Sequence, residues 1–135
     1  MKTTYNQNKN PRVIVIQKLY SKNLNNDQLI EFPKHRFKKF IKDVVLGTLE
    51  RKEYIQETIN TYLNNDLDIK RTEKILILLL HAAIFELLYK PQISVNIIIN
   101  EYLNASNSFI DENQKKFLNA LLDKISKKIR NNGWV

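Results

Sequence analysis

The chain has no cysteine, two glycines, three prolines and two histidines in 135 residues. Each scarcity removes a class of protein. Without cysteine there is no disulfide scaffold, no thiolate zinc site and no thiol nucleophile, and the composition suits a reducing cytosol. All-β folds and phosphate-cradling loops need glycine for turns at positive φ, so two glycines argue against both. No constellation of metal ligands can be built around His35 and His81 alone. Residues 1–10 are polar and hold no apolar run of the kind a secretory signal needs. The longest apolar stretch, residues 75–88, is interrupted by His81 and Glu86. It falls short of the roughly 20 residues that span a bilayer and reads as a buried helix, so no membrane association is expected.

What is present is positive charge. Twenty-two basic and 14 acidic residues leave a net charge of +8. That excess favours polyanionic partners: RNA, DNA or an anionic surface. No nucleophile–base pair, metal cluster or phosphate loop stands out, so an enzyme is not expected and no cofactor is implied.

The apolar pattern is helical throughout. Residues 1–10 read as a basic-polar arm, and residues 11–135 as a single domain. Asn10-Pro11 signals a helix start, with Asn as cap and Pro at the first position, where its missing N–H costs nothing. The first helix is predicted from about Arg12 to Ser21, burying Val13, Ile16, Leu19 and Tyr20. Pro33 is expected to open the second, with Phe37, Phe40, Ile41, Val44, Val45 and Thr48 on its stripe. A third carries Tyr54, Ile55, Ile59, Tyr62 and Leu63. The fourth, predicted from Ile69 to Tyr89 with Asp68 as cap, is apolar nearly all round and so belongs at the centre. Pro91 ends it. Ser94 caps a fifth helix bearing Val95, Ile98, Ile99, Tyr102 and Phe109. Asp111 and Gln114 form a capping-box start for a sixth, whose stripe is Leu118, Leu121, Leu122, Ile125 and Ile129. Lys127, Lys128 and Arg130 stand near its C-terminus, where cations favour the helix dipole. The fold class is all-α, a compact bundle of six to seven helices.

Several residues have two readings. Lys9 and Arg12 are a solvated helix end or a pair of phosphate contacts. Tyr20 is a core-edge ring or a partner for an unpaired base. Phe117, one position off its stripe between Lys116 and Leu118, packs at the core edge or offers a face for stacking. The run Lys34, His35, Arg36, Lys38, Lys39 reads as the solvated face of an amphipathic helix, with an RNA contact as the alternative. His81 reads as a satisfied core histidine. Glu86, Asn100 and Glu101 read as polar groups that tie helices together.

The residue sets Phe85-Glu86-Leu87, Ile99-Asn100-Glu101, Phe109 before an acidic turn, and Lys116-Phe117-Leu118-Asn119-Ala120-Leu121-Leu122-Asp123-Lys124 resemble the NusB family of bacterial transcription antitermination factors. The opening helix adds Arg12, Gln17, Leu19 and Tyr20 to the likeness. The resemblance implies two three-helix bundles packed at an angle, a cytoplasmic location and binding instead of catalysis. It implies boxA-type single-stranded RNA of ribosomal RNA transcripts as ligand, held together with ribosomal protein NusE. Through other Nus factors it implies the RNA polymerase elongation complex as a further partner, with self-association as an additional expectation. By resemblance the RNA-binding residues are Lys9, Arg12, Gln17, Tyr20, His81, Lys116, Phe117 and Asn119. His81 stands where relatives carry arginine and would keep a weaker cationic or hydrogen-bonding role. The Lys116–Asn119 segment is implied to lie beside the first helix. Phe109, Asp111, Glu112 and Asn113 are implied near the NusE-binding surface, where acidic groups suit a basic ribosomal protein. Two rivals stand beside this reading. One is a helical protein-interaction module with reduced RNA binding. The other is the RNA-binding domain fused to ribosomal RNA cytosine methyltransferases.

Overall fold

The computed structural model describes residues 9–130. These residues form six α-helices and no strand: α1 (Pro11–Leu24), α2 (Lys38–Glu50), α3 (Lys52–Tyr62), α4 (Lys74–Tyr89), α5 (Val95–Ser106) and α6 (Glu112–Ile129). Apart from Lys9 and Asn10, the expected N-terminal arm lies outside the described residues.

Helix α4 is the axis. Residues 76–87 are all buried, and every other helix packs against it. The first bundle, α1 and α2 on α4, and the second, α5 and α6 on α4, therefore share one wall. At the α2–α4 crossing Gly47 has a specific duty. A Cβ there would stand 2.3 Å from the ring of Phe85, so only hydrogen fits. Arg130 closes the far end of the same axis. Its guanidinium donates to the carbonyls of Leu87, Ile93 and Lys90 at 2.8, 2.8 and 2.9 Å. The residue expected to complement its own helix dipole thus caps α4 instead, satisfying carbonyls that have no partner within the helix.

The caps follow the sequence. Asn10 accepts from the Arg12 and Val13 amides, Ser94 from that of Ile97, and Asp111 and Gln114 close a reciprocal box. Four expectations are corrected. Helix α2 starts at Lys38, not Pro33, because Ile30 and Phe32 pack on the core from a non-helical segment. The residue before a proline also resists helical torsions. Phe37 consequently stands outside the helix and outside the core, 45% exposed. Asp68 caps a single 3-10 turn, Ile69–Arg71, which the Thr72 hydroxyl closes onto the Asp68 carbonyl. Helix α4 begins only after it. Helix α5 ends at Ser106, which leaves Phe109 in the following turn.

Burial is narrower than predicted on α3, and on α1 it is shifted toward the start of the helix. Tyr20, Tyr54 and Tyr62 are exposed at the edges of their stripes, while Ile14 and Val15 are buried beside Val13 and Ile16. Arg12 and the four apolar residues after it are all buried, so the start of α1 beyond Pro11 lies inside the molecule.

Candidate nucleic-acid interface

That burial decides the fate of Arg12. Its side chain is packed away, only 8% of the residue remaining exposed. Nε and Nη2 donate to Glu86 Oε2 and Oε1 at 3.0 and 2.7 Å, a two-pronged pair. Glu86 is wholly buried and also accepts from the Tyr102 hydroxyl at 2.5 Å. The guanidinium lies over the rings of Phe40 and Tyr102, 4.8 and 5.5 Å from their centroids. Burial opposes the charge on Arg12, but the hydrogen bond and charge of Glu86 outweigh it and hold the guanidinium protonated more firmly than usual. Burial, then the Glu86 charge, raises the Tyr102 phenol well above its ordinary pKa, with Arg12 opposing. The expectation of Arg12 as a phosphate contact is corrected: its donors are spent inside, joining α1, α4 and α5. Glu86 ties these helices together as anticipated. Asn100 is exposed, and Glu101 reaches Arg12 only at 3.9 Å.

The cations that do face solvent at the start of α1 come from two segments. His35 bridges them: its Nε2 donates to the Lys9 carbonyl at 2.8 Å and its Nδ1 accepts from the Phe37 amide at 2.8 Å. This links the Lys34–Lys39 run to the first turn of α1. Between them lies an open groove of about 790 Å³ lined by Lys9, Gln17, Lys18, Lys34, Arg36 and Phe37, with no acidic side chain in its lining. The Arg36 guanidinium sits 5.2 Å from the Phe37 ring centroid. Cations for phosphates and an exposed ring for a base are what a single-stranded nucleic acid requires. Of the expected RNA residues, the groove gathers Lys9 and Gln17. It adds Lys18, Lys34, Arg36 and Phe37. For Lys34 and Arg36 the signal is the basic run itself, read as a solvated face with an RNA contact as the alternative; spacing assigns Phe37 to the core, and Lys18 carries no signal.

Lys116, Phe117 and Asn119 are exposed on α6. They are not beside the start of α1. Gln114 donates to Glu73 at 2.8 Å, tying the first turn of α6 to the start of α4, whereas Arg12 ties α1 to Glu86 near its end. Thirteen residues of helix separate Glu73 from Glu86, about 20 Å at the usual rise. The segment is therefore apart from the start of α1 and stands toward the end of α4 that the C-terminal half of α1 also reaches, where Lys22 shares a cleft with Lys74. Tyr20, outside the groove, is 39% exposed on α1. In the acidic turn Asp111, Glu112 and Asn113 are exposed, and Phe109 is half-buried against the core. One oxygen of Asp111 accepts from the Gln114 amide at 2.8 Å.

His81 is 3% exposed, and its Nε2 donates to Gln56 Oε1 at 2.9 Å. Burial first, then the charges of Lys74 and Lys52, push its pKa down to about 4. It is neutral at physiological pH, so of the cationic and hydrogen-bonding roles expected it keeps the hydrogen bond, as a satisfied core histidine. No described helix is long and apolar enough to cross a membrane.

The NusB family model matches residues 4–127. A transcription antitermination protein NusB from Rickettsia massiliae is 30% identical over 129 residues, covering 90% of this chain and 80% of that protein. One from Mesorhizobium japonicum is 29% identical over 90 residues, 67% of this chain but only 58% of that protein, less than two thirds of its length. The fold of T. maritima NusB superposes with a TM-score of 0.75 at 24% identity, covering 89% of this chain and 90% of that one.

Proposed function

The chain belongs to the NusB family, and from that membership together with the basic groove at the start of α1 we propose that it is an RNA-binding transcription antitermination factor. The ligand is single-stranded RNA of the boxA type in nascent ribosomal transcripts. The protein pairs with ribosomal protein NusE, and through other Nus factors the pair joins the RNA polymerase elongation complex in the cytoplasm. The observation that carries the reading is the groove: cations from two segments around an exposed phenylalanine, held in register by His35. Lys9, Lys18, Lys34 and Arg36 supply phosphate contacts, and Phe37 supplies a stacking face. Lys116, Phe117 and Asn119 act as a separate contact at the other end of α4. The acidic turn of Asp111, Glu112 and Asn113, with Phe109 beneath it, faces NusE, where opposite charge steers association.

A second reading has its own support. With Arg12 buried and His81 neutral, two residues of the expected RNA set hold no free charge, which favours an interaction module with reduced RNA binding. One titration separates them. Under the first reading boxA-type RNA binds tightly only with NusE present, and affinity falls steeply with salt. Equal, weak binding to any RNA, unchanged by NusE, would leave the interaction module.

A further inference from the structure

A second cleft, of about 270 Å³, opens among the C-terminal half of α1, α2, α3 and the first half of α4. Lys22, Lys52 and Lys74 line it, Thr48 and His81 are buried in its wall, and no acidic side chain is among its lining residues. The Thr48 hydroxyl is unusual. It is 2% exposed and has no hydrogen-bond partner. Other helical threonines of this chain bond back to their own helix: Thr58 to the Tyr54 carbonyl and Thr61 to that of Glu57, each at 2.9 Å. Thr48 forgoes that bond, and a buried hydroxyl without a partner is costly. Lys22 is anchored at the lip, its Nζ donating to the carbonyls of Asn26 and Gln28 at 2.6 and 2.9 Å. Lys52 at the start of α3 and Lys74 at the start of α4 line the same cleft from different helices.

Three like charges around one opening repel, and a buried hydroxyl beside them lacks an acceptor. One kind of ligand relieves both defects: a compact, multiply charged oxyanion. We propose that this cleft binds a phosphoryl group, with Lys52 and Lys74 neutralising its charge, Lys22 closing its rim and the Thr48 hydroxyl donating to one of its oxygens. The site is separate from the groove. It adjoins Lys22 near the end of α1, whereas the groove adjoins Lys9 before its start. It does not rest on the RNA reading.

The test follows Thr48 and His81 signals by NMR in the full chain at constant ionic strength. Inorganic phosphate, adenosine monophosphate, uncharged adenosine and a single-stranded oligonucleotide without terminal phosphate are titrated in turn. Saturable shifts with phosphate or the monophosphate, and none with adenosine, support a small phosphate ester. Shifts with the oligonucleotide alone also support the site and assign its phosphoryl group to a nucleic-acid backbone. Lys52→Ala and Lys74→Ala should each weaken binding about tenfold, the loss of one charge-assisted contact, and Thr48→Val about fivefold, with Thr48→Ser restoring it. Both lysines are exposed, so their variants should fold. No saturable shift with any charged probe overturns the proposal, and so does affinity unchanged in the Lys52→Ala/Lys74→Ala double variant.

Discussion

Replacing Arg12 by alanine should unfold the protein more readily before it does anything to RNA. Glu86 is completely buried, and two of its three hydrogen bonds come from Arg12. The truncation leaves a buried carboxylate with the Tyr102 hydroxyl as its remaining donor. Removing one partner of a buried ion pair costs about 3–5 kcal/mol, because the other charge stays desolvated. The lost stacking over Phe40 and Tyr102 adds to this, about 1 kcal/mol for each well-placed ring. Against a total stability of about 5–15 kcal/mol, the loss is a large fraction. With a urea slope of about 2 kcal/mol/M for a small domain, the midpoint should fall by roughly 2 M. The melting temperature should fall by about 10–20 °C. Helical circular dichroism during urea titration reads the first figure directly. The paired substitution Arg12→Met with Glu86→Leu should recover most of the loss, since apolar residues can replace a buried pair at little cost. A double-mutant cycle then isolates the coupling between the two sites. An unchanged urea midpoint combined with weaker, less salt-dependent RNA binding would refute this reasoning and return Arg12 to the RNA surface.

Three further outcomes follow from other parts of the molecule. His81 holds a pKa of about 4 when folded against an ordinary 6.5. The unfolded chain therefore takes up its proton first as pH drops, and stability should be complete above pH 6.5 and decline by up to about 3 kcal/mol down to pH 4. The charges that act on the ring, Lys74 and Lys52, push in the same direction as burial, and His81→Leu should flatten that limb of the stability–pH curve. Gly47→Ala should destabilise by about 1–3 kcal/mol in thermal melts, because the clash with Phe85 exceeds the roughly 1 kcal/mol gained in helix propensity. In the groove, Lys34→Ala and Arg36→Ala should each lower the slope of log K against log salt by about 0.7 for single-stranded RNA, and Phe37→Ala should cost about 1–3 kcal/mol of binding without altering the slope. All three side chains are exposed, so melting temperatures should hold.

Much of the architecture was legible in the residues because it is local. Asn10-Pro11, Ser94 and the Asp111–Gln114 box act within four residues of themselves, so their caps could be read directly. The fourth helix announced its central position through an apolar surface on all sides. The errors arose where a distant contact overrides a local preference. Pro33 is a sound helix opener, yet Ile30 and Phe32 are held on the core and delay α2 to Lys38. Phe37 matched the stripe by spacing, but the later start leaves its ring outside. Arg12 looked solvated at a helix end, and only α4 and α5 make that end an interior.

The sequence by itself determined an all-α chain, most of its helix boundaries, its apolar core and the residue sets by which it resembles the NusB family, since propensity, capping and period are properties of neighbouring residues. Tertiary structure alone decided which charges are free. It buried Arg12 against Glu86, neutralised His81, set Lys116 and Phe117 at the opposite end of α4 from Lys9, and drew the Lys34–Phe37 segment to α1. Whether a cation meets solvent or a carboxylate depends on residues dozens of positions away, and desolvation is a property of the packed molecule.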